Sequence, residues 1–274
     1  MYSEKGDYYG KKYNAKYPVQ TVEKAIDILI YLKENPSPRG LSLNDLSKGL
    51  KMGKSSIHRF LDMLLEYNFV EKSEDGTSYF LSWGLFELGN VVPHYRNISS
   101  NKIDEYLEKL SNDFGEVINL GVMNAYSMVI VKRVFPLHKN VKNKLITSIQ
   151  VGEREPLFCT GIGKLFLSEM LENEAVEIFL NVPDKSITPY TIKAKEELLK
   201  ELNIIRNRGY SLDNKESDLD IICIAVALRD YSQKIVAGIG MSLPSNRFDY
   251  KKVDEIVASM KENAEEISKF LGNS

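Results

Sequence analysis

Four cations stand close together in residues 47–61, SKGLKMGKSSIHRFL: Lys48, Lys51, Lys54 and Arg59, with no acid among them. Side chains of this kind neutralise phosphate, and Ser55, Ser56 and His58 add hydrogen-bonding groups for phosphate oxygens or base edges. Such a run is also what a solvated face looks like, so the surrounding pattern has to decide. A second chemistry would come from the two cysteines, Cys159 and Cys223, as thiol nucleophiles on a carboxylated substrate. A nucleophilic thiol needs a base, and the three histidines are His58, His94 and His138, the first of them inside the basic stretch. No nucleophile elbow, phosphate loop, dinucleotide fingerprint or HExxH pair occurs. Neither cysteine sits in a CxxC pair, so no metal site or cofactor is expected.

The elements around the basic stretch give it a geometry. Apolar residues recur at Val22, Ile26, Leu29 and Ile30, one face of a first helix that stops at NPSPRG, residues 35–40. Ser42 is placed to cap a short second helix that buries Leu43, Leu46 and Leu50, with Asp45 at its positive end. Lys51, Met52 and Gly53 break it, Gly53 supplying the flexible backbone. A third helix starts at Lys54 or Ser55 and turns Ile57, Phe60, Leu61, Leu64 and Leu65 inward. FVEKSEDGTSYFL then alternates about Asp75 and Gly76, a hairpin signal. Three helices and a hairpin in this order make a winged helix-turn-helix. Its third helix presents Lys54, Ser55, Ser56, His58 and Arg59 outward, where a recognition helix meets the major groove. For Arg59 a surface ion pair with Asp62 or Glu66 is the alternative, and for His58 a buried structural role.

Residues 82–115 read as linker helices interrupted at Pro93. Trp83, Leu85, Phe86 and Leu88 suit either a subunit interface or packing on the first helix. The pattern then changes to strands, VINLGVM and MVIVKRV about a turn at 124–126, then LITSIQV before Gly152. Helices follow at GKLFLSEML, near residues 173–180 and at KEELLKELNIIRNRG. IICIAVALRD and KIVAGIGMSL are two more strands, and a closing helix buries Val253, Ile256, Val257, Met260, Ala264, Ile267 and Phe270. This order of elements predicts an α+β fold: an N-terminal winged helix-turn-helix plus a domain built on an antiparallel sheet with flanking helices.

At 274 residues the chain has room for two domains, and 43% apolar with 27% charged residues is an ordinary globular balance. The formal net charge of -2 means that any nucleic-acid contact rests on a local patch. No apolar stretch reaches membrane-span length and the opening MYSEKGDYYGKKY lacks a secretion signal, so a cytoplasmic location without a membrane partner is expected. The boundaries read as a flexible arm at 1–18, the winged helix at 19–81, the linker at 82–115 and the second domain at 116–274.

From about residue 19 to 273 the sequence resembles the IclR-type bacterial transcription regulators. VQTVEKAIDIL, LSLNDLSKGLKMGKSSIHRFLDML and YFLSWGLFELG carry the likeness in the first half. In the second half it lies in PLFCTGIGKLFLSEM, TPYTIKAKEELLKELNIIRNRGYSLDNKES, CIAVALRD and VAGIGMSLP. The resemblance implies a linker helix that aids dimerisation, a GAF-like effector domain, and a repressor acting as a homodimer or tetramer on palindromic operator DNA. It also implies a small organic-acid effector, with sugar acids such as keto-deoxy-gluconate, glyoxylate, pyruvate and aromatic acids among the candidates. By the same resemblance the effector contacts are Thr160, Gly161, Ile162, Asp213, Cys223 and Ser242. The sequence departs from the family where Gly240 stands in place of a second serine in the last strand. It departs again where Gly161 and Ile162 precede the GK pair instead of alanine, so the effector need not be the commonest one.

The residues make chemical sense of these positions. A carboxylate fits the backbone N-H groups of the glycine loop at the start of GKLFLSEML. Ser242 donates a hydrogen bond, Asp213 accepts one from a ligand hydroxyl, and Cys223 lines the site. The plain structural alternatives are a core thiol at Cys223, a turn residue at Asp213 beside Asn214, and an ordinary strand hydroxyl at Ser242. The competing function is a thiol-dependent enzyme with a DNA-binding appendage.

Overall fold

The computed structural model describes residues 15–95, 98–137, 150–182 and 185–271. It divides into two compact units, the first ending near residue 96 and the second running on from there. Most of the N-terminal arm, and His138, lie outside the described residues.

The first unit contains α1 (Gln20–Glu34), β1 (Leu41–Ser42), α2 (Leu43–Leu50), α3 (Lys54–Glu66), β2 (Val70–Lys72), β3 (Ser78–Leu81), α4 (Trp83–Asn90) and α5 (Val92–Tyr95). A small antiparallel sheet in the order β1-β3-β2 makes the wing. Ile28, Leu32, Leu46, Ile57, Leu61, Leu64, Val70 and Tyr79 form the core. The periodicity of α1 misidentifies its packed side. Val22, Ile26 and Ile30 are 55%, 49% and 42% exposed, Leu29 is half-buried, and Ile28 and Leu32 are the buried pair. The helix carries two apolar stripes, and spacing alone does not say which one meets α2 and α3.

The break between α2 and α3 also differs from expectation. Lys51 takes the left-handed conformation, φ 52°, while Gly53 has an ordinary φ of -63°. Gly49 is the glycine that close packing demands, because a Cβ there would lie 2.0 Å from the Tyr31 hydroxyl and 2.1 Å from its ring.

The second unit begins with α6 (Asn101–Phe114), capped by Ser100, whose hydroxyl accepts from the Ile103 amide at 3.2 Å. Then come β4 (Val117–Asn124), β5 (Ser127–Val134), β6 (Arg154–Pro156), α7 (Gly161–Ser168), α8 (Glu172–Leu180) and α9 (Lys195–Arg208). β7 (Ser211–Asn214), β8 (Ile221–Arg229), β9 (Ile235–Pro244) and α10 (Val253–Leu271) complete it. All strand pairs are antiparallel, in the order β6-β5-β4-β9-β8-β7.

Alternation along the strands builds two cores. Ile118, Leu120, Ile224, Val226, Ile239 and Met241 face α6 and α10. Met128, Ile130 and Ala225 share the other core with Ile162, Leu165, Ile178 and Leu202 of α7 to α9. Three expectations change here. The expected LITSIQV strand falls mostly outside the described residues, and its last two residues are irregular. The two edge strands β6 and β7, with few apolar residues, carried no alternation signal. Leu271, not Phe270, is the fully buried residue at the end of α10, and Val253 is half-buried.

The Gly49 contact yields a test of the first unit. Gly49→Ala is expected to destabilise it by about 1 to 3 kcal/mol through overpacking. Thermal melting should show a smaller loss for Gly49→Ala when it is made in a Tyr31→Ala background than in the parent.

Candidate effector pocket and nucleic-acid interface

In the first unit, α2 is fixed by a capping box. The Asp45 amide donates to the Ser42 hydroxyl oxygen at 3.2 Å, and the Asp45 carboxylate accepts from the Ser42 amide at 3.0 Å. The Ser47 hydroxyl then closes the turn onto the Met52 carbonyl at 2.7 Å. With Ile57, Leu61 and Leu64 buried, Lys54, Ser55, Ser56, His58 and Arg59 are all exposed in the first two turns of α3. Lys48 and Lys51 are exposed beside them, and no acid lies in the first turn. His58 Nδ1 sits 3.1 Å from Asp62 Oδ2, with both side chains exposed. Arg59 has no carboxylate partner among the described residues, so the alternative of an ion pair with Asp62 or Glu66 is not the arrangement found. Helix polarity and four nearby cations favour phosphate here. In the wing turn Asp75 accepts from the hydroxyls of Ser73 and Thr77 and from the Thr77 amide. With Glu74 next to it, this tip offers phosphate little.

In the second unit one cavity is lined by Thr160, Gly161, Ile162, Asp213, Cys223 and Ser242 together. Strand register explains why residues so far apart in sequence meet. Asp213 pairs with Cys223, Cys223 with Ser242, and residues paired across an antiparallel sheet share a face. The start of α7 closes the other side. Thr160 accepts from the Gly163 amide through its hydroxyl and from the Lys164 amide through its carbonyl. That leaves the amides of Gly161 and Ile162 outside the helix's own ladder, at its positive end.

Ile162 lies over three glycines of the sheet. A Cβ on Gly238 would stand 2.8 Å from it, on Gly121 3.0 Å and on Gly240 3.2 Å. A serine at 240 and an isoleucine at 162 would compete for one space, so the two departures from the family pattern belong together. With Ile162 in place the space left in the cavity is about 40 Å³. A wider groove beside α10 is open, and its cations are already engaged: Arg229 with Glu169, Lys269 with Glu266, Lys261 with the Arg208 carbonyl.

Asp213 has a structural duty as well as a place in the lining. Its Oδ1 accepts from the amides of Glu216 at 2.7 Å and Ser217 at 3.3 Å, and its Oδ2 from the Ser217 hydroxyl at 2.5 Å. The turn it holds delivers Glu216 to Lys164, a fully buried cation on α7 that also donates to the Leu212 carbonyl at 2.8 Å. Thr188 and Thr191 pin the same turn by donating to the carbonyls of Lys215 and Glu216, each at 2.6 Å.

Residues that the sequence reading did not single out also line the cavity: Asn119, Met128, Ile130, Arg133, Ser217 and Ile221. Both thiols are held protonated. Burial pushes Cys223 up to about 12 and Cys159 well above its ordinary value. The described part of the second unit holds no histidine, and no metal-ligating cluster occurs among the described residues.

Burial raises three carboxyls around this site. Asp213 is pushed up to about 6, and Glu155 and Glu216 to about 7, the latter against the pull of Lys164. Unfolded, these groups titrate near pH 4. The folded unit therefore binds more protons between about pH 4 and 7. The stability these groups contribute is complete below that window and lost as pH rises through 6 to 7. Denaturant midpoints taken from pH 5.5 to 8 should fall, with a shallower slope in Asp213→Asn. A flat profile in the parent chain would contradict these assignments.

The comparisons identify the family and the fold. The IclR helix-turn-helix domain family matches residues 21–74, and the family described as Bacterial transcriptional regulator IclR C-terminal matches residues 94–269. The chain is 32% identical to the HTH-type transcriptional regulator KdgR of Dickeya chrysanthemi, over 93% of this chain and 80% of that one. It shares its fold with the crystal structure of the Thermotoga maritima IclR, at TM-score 0.70 and 29% identity, covering 92% of this chain and 99% of that one. An IclR homologue from Microbacterium hydrocarbonoxydans, solved in complex with 4-hydroxybenzoate, has the same fold at TM-score 0.74 and 19% identity, covering 90% and 98%. These relatives are regulators of transcription rather than enzymes. With family matches over both units and a relative above 30% identity along nearly the whole chain, the protein belongs to the IclR family of DNA-binding bacterial transcription regulators.

Proposed function

We propose that the protein is an effector-responsive cytoplasmic regulator that binds palindromic operator DNA as a dimer and senses a small organic acid. On this reading residues 19–81 bind DNA, 82–115 join the domains and 116–274 bind the effector. The observation that carries it is the convergence of Thr160, Gly161, Ile162, Asp213, Cys223 and Ser242 on one cavity, in a unit separate from the helix-turn-helix. The amides at the start of α7 take an anion, Asp213 takes a hydroxyl, and Cys223 and Ser242 complete the lining. The homologue crystallised with 4-hydroxybenzoate supports a small acid as the ligand class.

The dimer reading rests on the first unit. Trp83 and Phe86 of α4 are 73% and 63% exposed and meet edge to face, their ring centroids 6.0 Å apart. Val22, Ile26 and Ile30 leave an apolar stripe on α1. Exposed apolar surface of this kind marks an interface, and aromatic residues are its usual anchors. Two copies then present two α3 helices to successive major grooves. The acid acts by preferring one pose of the dimer over another.

A thermal-shift screen against pyruvate, glyoxylate, gluconate and 4-hydroxybenzoate tests the sensing half. A stabilising acid whose effect weakens in Asp213→Ala and Ser242→Ala is the expected result, and no response to any acid overturns it. Adding that acid to the operator complex then shows whether the effector releases the DNA or strengthens its binding. For the dimer, Trp83→Glu is expected to give monomers by sedimentation and to weaken operator binding while acid binding persists.

A further inference from the structure

The cavity has one cationic side chain among its described lining residues, Arg133, and strand alternation would have pointed it the other way. Met128 and Ile130 of β5 face α7, so a regular strand would turn Lys132 into the cavity and Arg133 out. A bulge intervenes. Leu120 pairs with Lys132 but Gly121 pairs with Ile130, so Val131 is the extra residue and the parity of β5 changes beyond it. Lys132 accordingly pairs with Asp104 of α6 on the opposite face, and Arg133 joins Met128 and Ile130 in the lining.

Once there, Arg133 is held in place. Its Nε donates to Asn119 Oδ1 at 2.8 Å, and Asn119 Nδ2 donates to Ser242 Oγ at 3.0 Å. The guanidinium thus heads a polar row that crosses the sheet through Asn119 on β4, diagonally to Ser242 on β9, then Cys223 on β8, toward Asp213 on β7. One end of the row is a cation and the other a carboxylate.

We infer that Arg133 receives the acid group of the effector, so the ligand is a compact anion whose hydroxyl end lies toward Asp213 or whose carbonyl end accepts from Ser242. This rests on the organic-acid reading and gives it a direction. Guanidinium matches carboxylate geometry with paired donors, and a lysine at the same place does not reproduce that match. Arg133 is a specificity residue: it adds a charged partner to the α7 amides on the acid group and so selects acids over neutral analogues, which the amides alone would not.

The test is calorimetric binding to the full-length protein of pyruvate and 4-hydroxybenzoate against pyruvamide and 4-hydroxybenzamide. It uses the parent chain, Arg133→Gln, Arg133→Lys and the opposite-face control Lys132→Gln. Expected is loss of about tenfold or more in acid affinity for Arg133→Gln, a partial loss for Arg133→Lys and none for Lys132→Gln. The acid-over-amide preference should collapse in Arg133→Gln even if overall stability changes, because the ratio is read within one variant. If the parent binds an acid and Arg133→Gln keeps its preference over the amide, the assignment of Arg133 falls while organic-acid sensing stands. If the parent binds none of pyruvate, glyoxylate, gluconate and 4-hydroxybenzoate, the sensing reading fails and this inference falls with it.

Discussion

The second unit is organised around one close approach, the seating of the first turn of α7 directly on the sheet. A helix ordinarily packs about a side-chain layer away from the strands beneath it. Here Gly121, Gly238 and Gly240 remove that layer, and Ile162 occupies the space where their Cβ atoms would be. Gly161 comes equally close, a Cβ on it standing 3.2 Å from Ala225 and 3.3 Å from the Cys223 carbonyl. The approach brings the positive end of a helix to the cavity lined by polar residues of five strands. Without the glycines the helix would ride higher, and Thr160 and Asp213 would no longer face the same small space.

A fully buried lysine keeps the helix there. Lys164 is two residues beyond Ile162 and is locked to the Leu212 carbonyl and to Glu216, with Glu201 at 3.7 Å. Breaking such a pair by removing one partner costs about 3 to 5 kcal/mol, since the other charge stays buried. The pair is therefore a fixing device for α7 relative to the turn at 213–217 more than a source of net stability. In the first unit the corresponding work is done by short-range features, the Ser42 and Asp45 cap and the left-handed Lys51, which set the angle at which α3 leaves α2.

The parts of this structure that could be read from sequence are those written in local periodicity. The winged helix-turn-helix, α6, α9, β8, β9 and the outward set on α3 all follow from spacing and caps. What stayed hidden depends on a neighbour. The packed side of α1 is chosen by α2 and α3, not by its own two apolar stripes. β7 is four residues long and draws its strand geometry from β8. Arg133 is the sharpest case: strict alternation assigns its position to Lys132, and only a one-residue bulge in pairing with β4 reverses the two. The six effector positions were named by family resemblance; what the structure adds is the register that lines them up.

Energetics limit how such a site can control DNA binding. Asp213 already accepts three hydrogen bonds from its own turn, and a carboxylate has about four lone-pair sites. On the proposed function a ligand hydroxyl would fill the remaining site and reinforce the turn instead of competing with it, and through Glu216 and Lys164 would also tighten α7. Occupancy at a hundredfold excess over Kd stabilises the binding-competent form by about 2.7 kcal/mol. Moving a two-state equilibrium from 1:99 to 99:1 takes about 5.5 kcal/mol. At that excess one site falls short of the swing, whereas two linked sites in a dimer come to about twice 2.7 kcal/mol and nearly reach it. On the proposed function, a sharp response at such ligand levels thus needs both protomers to be filled and to change pose together, which makes the apolar faces of α1 and α4 as much a part of the switch as the pocket.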